Sequence, residues 1–155
     1  MQLRKAAKKD SEQIAEVLLS FYNLENSEEA KNAFLNEIKK GHHYIVAEDE
    51  NKIIGLVTWL MHGLPKHELA ELDRIVTLKE SRGKGVGKLL VDELIKHANS
   101  VYSKAGFKLR KLYLLTHADN KEAHSFYKKT GFKHETTLKE HYYKEKDEFV
   151  FSMFF

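Results

Sequence analysis

The sequence predicts an α/β fold: a mixed, mostly antiparallel sheet of six to seven strands flanked by about four helices. Two observations carry this reading. Apolar residues recur at strand period in some segments and at helical period in others. Several strand-like segments follow one another across short polar turns, which marks hairpins and not a regular βα alternation. The element order is therefore β-α-α-β-β-β-α-β-α-β-β.

Each element has a local reason. "MQLRKA" reads as a short first strand. Asp10 is placed to cap a helix, with Gln13 three residues on and Ile14, Val17, Leu18 and Phe21 at helical spacing. Ser27 is a second N-cap candidate; Ala30, Phe34, Leu35 and Ile38 form an apolar stripe, and Gly41 is the stop. "YIVAE" and "KIIGLVTWLM" are strands joined across "DENK", with Gly55 marking a bulge in the second. "HGLPKH" is a loop, and "LAELDRIVTL" is the next strand. A long helix runs from about Gly85 to Lys104, with Leu89, Leu90, Leu94, Ile95, Ala98 and Val101 facing inward and Gly106 as its end. "KLYLLT" is a strand, Asn120 caps a shorter helix carrying Ala123, Phe126 and Tyr127, and Gly131 closes it. The tail "YYKEKDEFVFSMFF" reads as a hairpin whose last strand is apolar on both faces. Such a strand is either central in its sheet or part of a subunit contact, which would pair two copies as a homodimer.

Composition narrows the function. The 155 residues suit one domain spanning 1–155, with 42% hydrophobic and 32% charged residues. No cysteine is present, which excludes disulfides, zinc–thiolate sites and a Cys-based acyl-enzyme. The N-terminus lacks an apolar signal core and no apolar run approaches a membrane span, so no membrane partner and a cytoplasmic location are expected. The net charge of +3 comes mostly from lysine, the ordinary solvated cation, and so gives little reason to expect nucleic acid. The nine histidines show no metal-binding spacing; no metal is expected.

The most informative stretch is "SRGKGVGKLL", Ser81 to Leu90, between a strand and the long helix. Glycines at alternate positions let backbone N–H groups approach a ligand, and a helix start adds a favourable dipole for an anion. It is not a Walker A loop, because Arg82 occupies the first glycine position and Leu89 replaces the metal-binding hydroxyl. It is not the dinucleotide fingerprint either, since neither glycine register finds its third glycine.

The pattern that fits is R-x-x-G-x-G at Arg82, Gly85 and Gly87. In this form the segment resembles the pyrophosphate loop of the GNAT superfamily of acetyl-CoA-dependent N-acetyltransferases. Upstream, "ELDRIVTLKES" looks like that family's fourth strand. Downstream, "NKEAHSFYKKTGF" matches its N-x-x-A-x-x-F-Y-x-x-x-G-F helix at Asn120, Ala123, Phe126, Tyr127, Gly131 and Phe132. The element order agrees over essentially the whole chain.

The resemblance implies transfer of acetyl from acetyl-CoA to a primary amine by direct attack in a ternary complex. Arg82, Gly83, Lys84, Gly85, Val86, Gly87 and Lys88 would surround the pyrophosphate. Ile75, Val76 and Thr77 would offer backbone groups to the pantetheine arm, with the Ile75 N–H polarising the acetyl carbonyl. Thr77 stands where the family often has Val. Asn120 would cap its helix and touch the pantetheine amides. Tyr127 would protonate the leaving thiolate. Glu71 and Asp73 alternate along one strand, share a face with Ile75, and both match positions that carry a catalytic carboxylate in branches of the family. Glu71 is the first candidate base, Asp73 the second, and His117, after the "KLYLLT" strand, a further one. The acceptor would be shaped by "NLENSEE" and "KEHYYKEKDEF", the latter resembling the hairpin of the branch that acetylates protein N-termini. A non-catalytic CoA-binding module of the same fold is the alternative.

Overall fold

The computed structural model describes residues 1–21 and 24–155. Its centre is one seven-stranded sheet in the order β1-β2-β3-β4-β5-β7-β6. Strands β1 (Gln2–Lys5), β2 (His43–Asp49), β3 (Lys52–Met61) and β4 (Leu69–Thr77) form an antiparallel run. Strands β5 (Lys111–His117), β7 (Lys146–Phe154) and β6 (Lys133–Tyr143) form a second one. The two runs meet where β4 and β5 pair in parallel, at Leu69–Lys111, Ala70–Leu112 and Glu71–Tyr113 only. Beyond Glu71 and Tyr113 that pairing stops, although β4 runs on to Thr77 and β5 to His117.

Among the described residues, four α-helices cover the sheet. Helices α1 (Ser11–Leu19) and α2 (Ser27–Lys39) close one face, burying Ile14, Leu18, Ala30 and Phe34 against Tyr44, Val46, Ile53, Leu56 and Val76. Helices α3 (Val86–Lys104) and α4 (Lys121–Lys129) close the other, burying Leu90, Leu94, Ala98 and Tyr102 with Tyr127 against Ile45, Val57, Trp59, Leu72 and Leu114. β7 lies inside the sheet, which accounts for its apolar residues on both faces, and the exposed β6 takes the edge. β6 begins at Lys133, well before the "YY" where the hairpin is expected from sequence.

Several local expectations shift. Asn26, not Ser27, caps α2, accepting from the Glu29 N–H at 2.9 Å. Asp10 does not cap α1 with its side chain; the carboxylate turns back to the Ala7 N–H (2.7 Å) and the Arg4 guanidinium (2.7 and 3.0 Å). Gln13 does not complete a capping box. Its amide reaches the β2–β3 hairpin, accepting from the Ile53 N–H and donating to the Asn51 carbonyl. Leu89 is exposed because Val86, Leu90, Leu94 and Ala98 define the buried stripe of α3 at i, i+4 spacing, and residue 89 falls off it. Phe21 lies past the end of α1, 54% exposed.

Two bulges interrupt the ladders on either side of β3. One falls at Ile54 in β3, one residue before the glycine that signals it. The other leaves Asp73 of β4 without an opposite residue, since Thr58 pairs with Arg74 and Trp59 with Leu72. An extra residue reverses the facing of everything after it. Ala70 and Leu72 pack on the α3 side, whereas Val76 packs on the α1–α2 side. The expectation that Glu71 and Asp73 share a face with Ile75 therefore fails: Ile75 packs toward the α3-side core, and the carboxylates lie on the other face with Arg74.

Candidate active site

The divergence of β4 from β5 opens the sheet into two adjoining cavities. The first, of about 430 Å³, lies over the glycine loop and is lined by Arg82, Gly83, Gly85, Val86, Gly87 and Lys88. Ile75, Val76 and Thr77 of β4 form one wall, and Asn120, Phe126 and Lys129 of the α4 region form the other. Lys84 is the one residue from 82 to 88 that does not line it. Gly85 is the N-cap of α3 at φ +80, and Gly83 has φ +75. Both are conformations that L side chains avoid, and an added Cβ at either would meet nothing within 4 Å. The glycines thus keep the cradle open above a helix start whose first N–H groups have no intrahelical acceptor. Gly87 has a different reason: a Cβ there would fall 2.9 Å from the Phe126 ring, so its absence lets α4 close on α3.

The second cavity, of about 540 Å³, lies in the gap between β4 and β5. It shares Phe21, Ile75 and Asn120 with the first. Glu71, Asp73 and Arg74 reach it from β4, His117 from the end of β5, and Tyr127 from α4. Tyr142, Tyr143 and Glu148 of the β6–β7 hairpin close the far side.

The carboxylates differ in their company. Glu71 accepts from His62 Nε2 at 2.5 Å and from the Tyr113 hydroxyl at 3.2 Å. Burial, reinforced by Glu71, raises the Tyr113 pKa. Asp73 lies 3.4 Å from the Thr58 hydroxyl, 3.8 Å from Arg74 and 3.9 Å from His42. Arg74 in turn makes a bidentate bond to Glu37 of α2 at 3.0 and 3.1 Å and donates to the Tyr44 hydroxyl, tying α2 to the cleft. Glu37, His42 and Asp73 bring ligand atoms within 4.8 Å of one another, but Arg74 already meets this carboxylate pair with a cation. Glu148 is 2% exposed and bonds His117 Nδ1. Tyr142 has its pKa raised by burial and then by the charges of Glu71, Glu148 and Asp73, which line the same cavity.

Asn120 caps α4 as the sequence indicates, accepting from the Ala123 N–H at 3.1 Å, and it lines both cavities. Tyr127 is 9% exposed, packed with Phe126, Phe132 and Phe151, and also lines the second cavity. Sequence reasoning missed Phe21, His62, Arg74 and Lys129 as site residues, and no local signal marks them; Tyr142, Tyr143 and Glu148 lie in the "KEHYYKEKDEF" segment expected to shape the acceptor side, and they do line the second cavity. Asn23, at the start of the "NLENSEE" segment, lies outside the described residues.

A strand that parts from its parallel neighbour, a glycine cradle at the start of the long helix and a carboxylate-lined cavity beside it thus lie together at one point of the sheet. A family profile described as "Acetyltransferase (GNAT) family" matches residues 11–132, and the chain belongs to that family. An uncharacterized N-acetyltransferase of Methanocaldococcus jannaschii is 30% identical over 100 residues, covering 62% of this chain and 41% of that relative's own length. Among solved structures, smu.2055 from Streptococcus mutans superposes with a TM-score of 0.82 at 22% identity over 99% of both chains. A ribosomal-protein-alanine N-acetyltransferase from Brucella melitensis gives 0.77 at 21% identity over 100% of both. At these identities the superpositions establish the shared fold. Among the described residues no helix is long and apolar enough to cross a membrane.

Proposed function

We propose that this chain is an N-acetyltransferase that moves acetyl from acetyl-CoA to a primary amine by direct attack in a ternary complex. The observation that carries the reading is the junction of the two cavities at Ile75 and Asn120, with a glycine cradle on one side and carboxylates on the other. Acetyl-CoA, as cosubstrate, supplies the activated thioester. The cradle residues, with Arg82, Lys88 and Lys129 around them, suit its pyrophosphate. The edge of β4 from Leu72 to Thr77, which β5 does not pair, suits its amide-bearing arm.

With no cysteine in the chain, the amine itself attacks the thioester carbonyl. A Lys-like amine is mostly protonated at pH 7, a deficit of roughly 4.5 kcal/mol in the reactive form. The negative field of Glu71 and Asp73 draws the ammonium in, and its proton passes to one of Glu71, Asp73 or His117. Tyr127 donates a proton to the departing sulfur.

Acetyl-CoA at about 100 times its Kd should stabilise the fold by roughly 2.7 kcal/mol. Thiol release should follow on adding primary amines such as 1,4-diaminobutane, 2-phenylethylamine and an alanine-initiated peptide. Stabilisation without acetylation of any amine would favour the non-catalytic CoA-binding module. Absence of stabilisation would remove the basis for both.

A further inference from the structure

We propose that His117, held by the buried carboxylate of Glu148, is the base that takes the acceptor amine's proton, while Glu71 and Asp73 supply the field that draws the ammonium into the cleft. The inference rests on the acetyltransferase reading and assigns within it a step that the sequence leaves open.

The geometry supports this in four ways. His117 and Glu148 are directly opposite residues in the β5–β7 ladder, so the register itself brings ring and carboxylate together. Glu148 bonds the ring at Nδ1, and as a carboxylate, which only accepts, it selects the Nδ1–H tautomer. That leaves Nε2 as the acceptor of the neutral ring. Glu148 is 2% exposed, and a carboxylate so buried is costly without its partner, which favours the pair staying formed. His117 is 47% exposed on its side-chain surface and lines the cleft that also holds Glu71, Asp73 and Tyr127.

The backbone is held as well. His124 of α4 contacts the His117 carbonyl through Nε2 at 2.9 Å, three residues before Tyr127 on the same helix. The base and the acid are thereby referred to one element. From β6, the Tyr143 ring lies 6.3 Å from the His117 ring. Arg74, Thr116, Asn120 and Tyr142 are the other polar groups lining this cavity.

The rival carboxylates are differently placed. Glu71 is engaged by two donors, His62 and Tyr113, and Asp73 lies close to Arg74. An imidazole, ordinarily near pKa 6.5, is also better matched in basicity to an amine than a carboxylate near 4. The step balances as follows. One proton passes from the ammonium to His117 Nε2 and on to water. The amine nitrogen forms a bond to the acetyl carbon, and the carbon–sulfur bond breaks. Sulfur takes a proton from Tyr127, and the proton shed by the new amide nitrogen restores Tyr127. Glu148 touches no reacting atom and acts as a positioning residue.

The test uses the full chain with acetyl-CoA and the three amines named above. In His117→Ala, kcat/KM at pH 7 should fall by ~10²-fold or more, with the acetyl-CoA thermal shift retained. Activity should recover with added imidazole and as pH approaches the amine's own pKa. Glu148→Gln should lower kcat by about 10-fold or more without changing KM for acetyl-CoA, and Glu148→Asp should regain part of it. Nitrogen-15 NMR of the wild-type ring should show the Nδ1–H tautomer. A wild-type pH profile in His117→Ala, or an Nε2–H tautomer, overturns the proposal. If the wild-type chain acetylates none of the amines while NMR shows the Nδ1–H tautomer, the acetyltransferase reading fails and the base role with it, leaving a structural pair.

Discussion

Tyr127 is packed with Phe126, Phe132 and Phe151 yet lines the second cavity, so a packing role and the proposed acid role meet in one ring. Substituting Phe keeps the packing and removes only the hydroxyl. Tyr127→Phe should therefore keep its acetyl-CoA thermal shift and lose turnover by ~10²-fold or more, as general acids do. Near-normal turnover would make it a packing residue and leave sulfur to be protonated by water. At the same scale, Glu71→Gln and Asp73→Asn should weaken capture of cationic amines, raising KM for 1,4-diaminobutane more than for 2-phenylethylamine. Equal changes for both amines would count against a field effect. Residues whose role is local could be read from sequence: Asn120 caps where it stands, and Gly83 and Gly85 have positive φ where a cradle needs it. Residues whose role is made by long-range pairing could not. Glu148 becomes a partner of His117 only through the β5–β7 register, and His62 reaches Glu71 only because β3 and β4 pair across nine residues of chain.

Among the elements, the glycine segment makes two separable predictions. Gly85→Asp adds a negative side chain in the cradle at a left-handed residue, and it should abolish stabilisation by acetyl-CoA. An unchanged shift would place the anion elsewhere. Gly87→Leu instead collides with Phe126 of α4 and should destabilise the fold by roughly 1–3 kcal/mol, measured by urea denaturation without ligand. A neutral result would mean that α4 can shift freely. Strand β4 shows the limit of pattern reading. Strict alternation from Glu71 to Ile75 gives a plausible shared face, and a single bulged residue, Asp73, overturns it. Nothing in "ELDRIVT" marks that bulge, because it is set by how Thr58 and Trp59 of β3 pair with their neighbours. The boundaries of α3 and α4 were legible because glycines and an Asn cap stand at their ends.

Over the whole molecule, stability should depend on pH through a buried aromatic cluster away from the cleft. Trp59, fully buried, donates to His97 Nδ1 at 3.2 Å, and His43 stacks on its indole with centroids 4.2 Å apart. Burial, then the neighbouring charges of His97, Lys5 and His42, lowers the His43 pKa to about 4. Burial and Lys5 lower that of His97, with Glu93 opposing. A histidine with a lowered pKa is held neutral by the fold, so its contribution is complete above the unfolded value near 6.5. It is lost as pH falls from 6.5 toward 4, where the unfolded chain binds the extra proton. One such group can contribute about 1.4 kcal/mol per pH unit at most, and partial exposure reduces this to on the order of 1 kcal/mol between pH 6.5 and 5. His43→Phe keeps a stacked ring and should flatten this part of the urea-midpoint profile. An equally steep fall in the variant would assign the effect to other groups.

The three-residue union of β4 and β5 also has a dynamic consequence. The sheet is two ribbons sewn together at one end, and among the described residues no strand lies across the outer seam of β4 from Leu72 to Thr77 to shield its amides from solvent. Roughly every other amide there should trade its proton for deuterium faster than those facing β3. A ligand laid along the seam as a surrogate strand should slow this exchange, making the open seam its own sensor of occupancy.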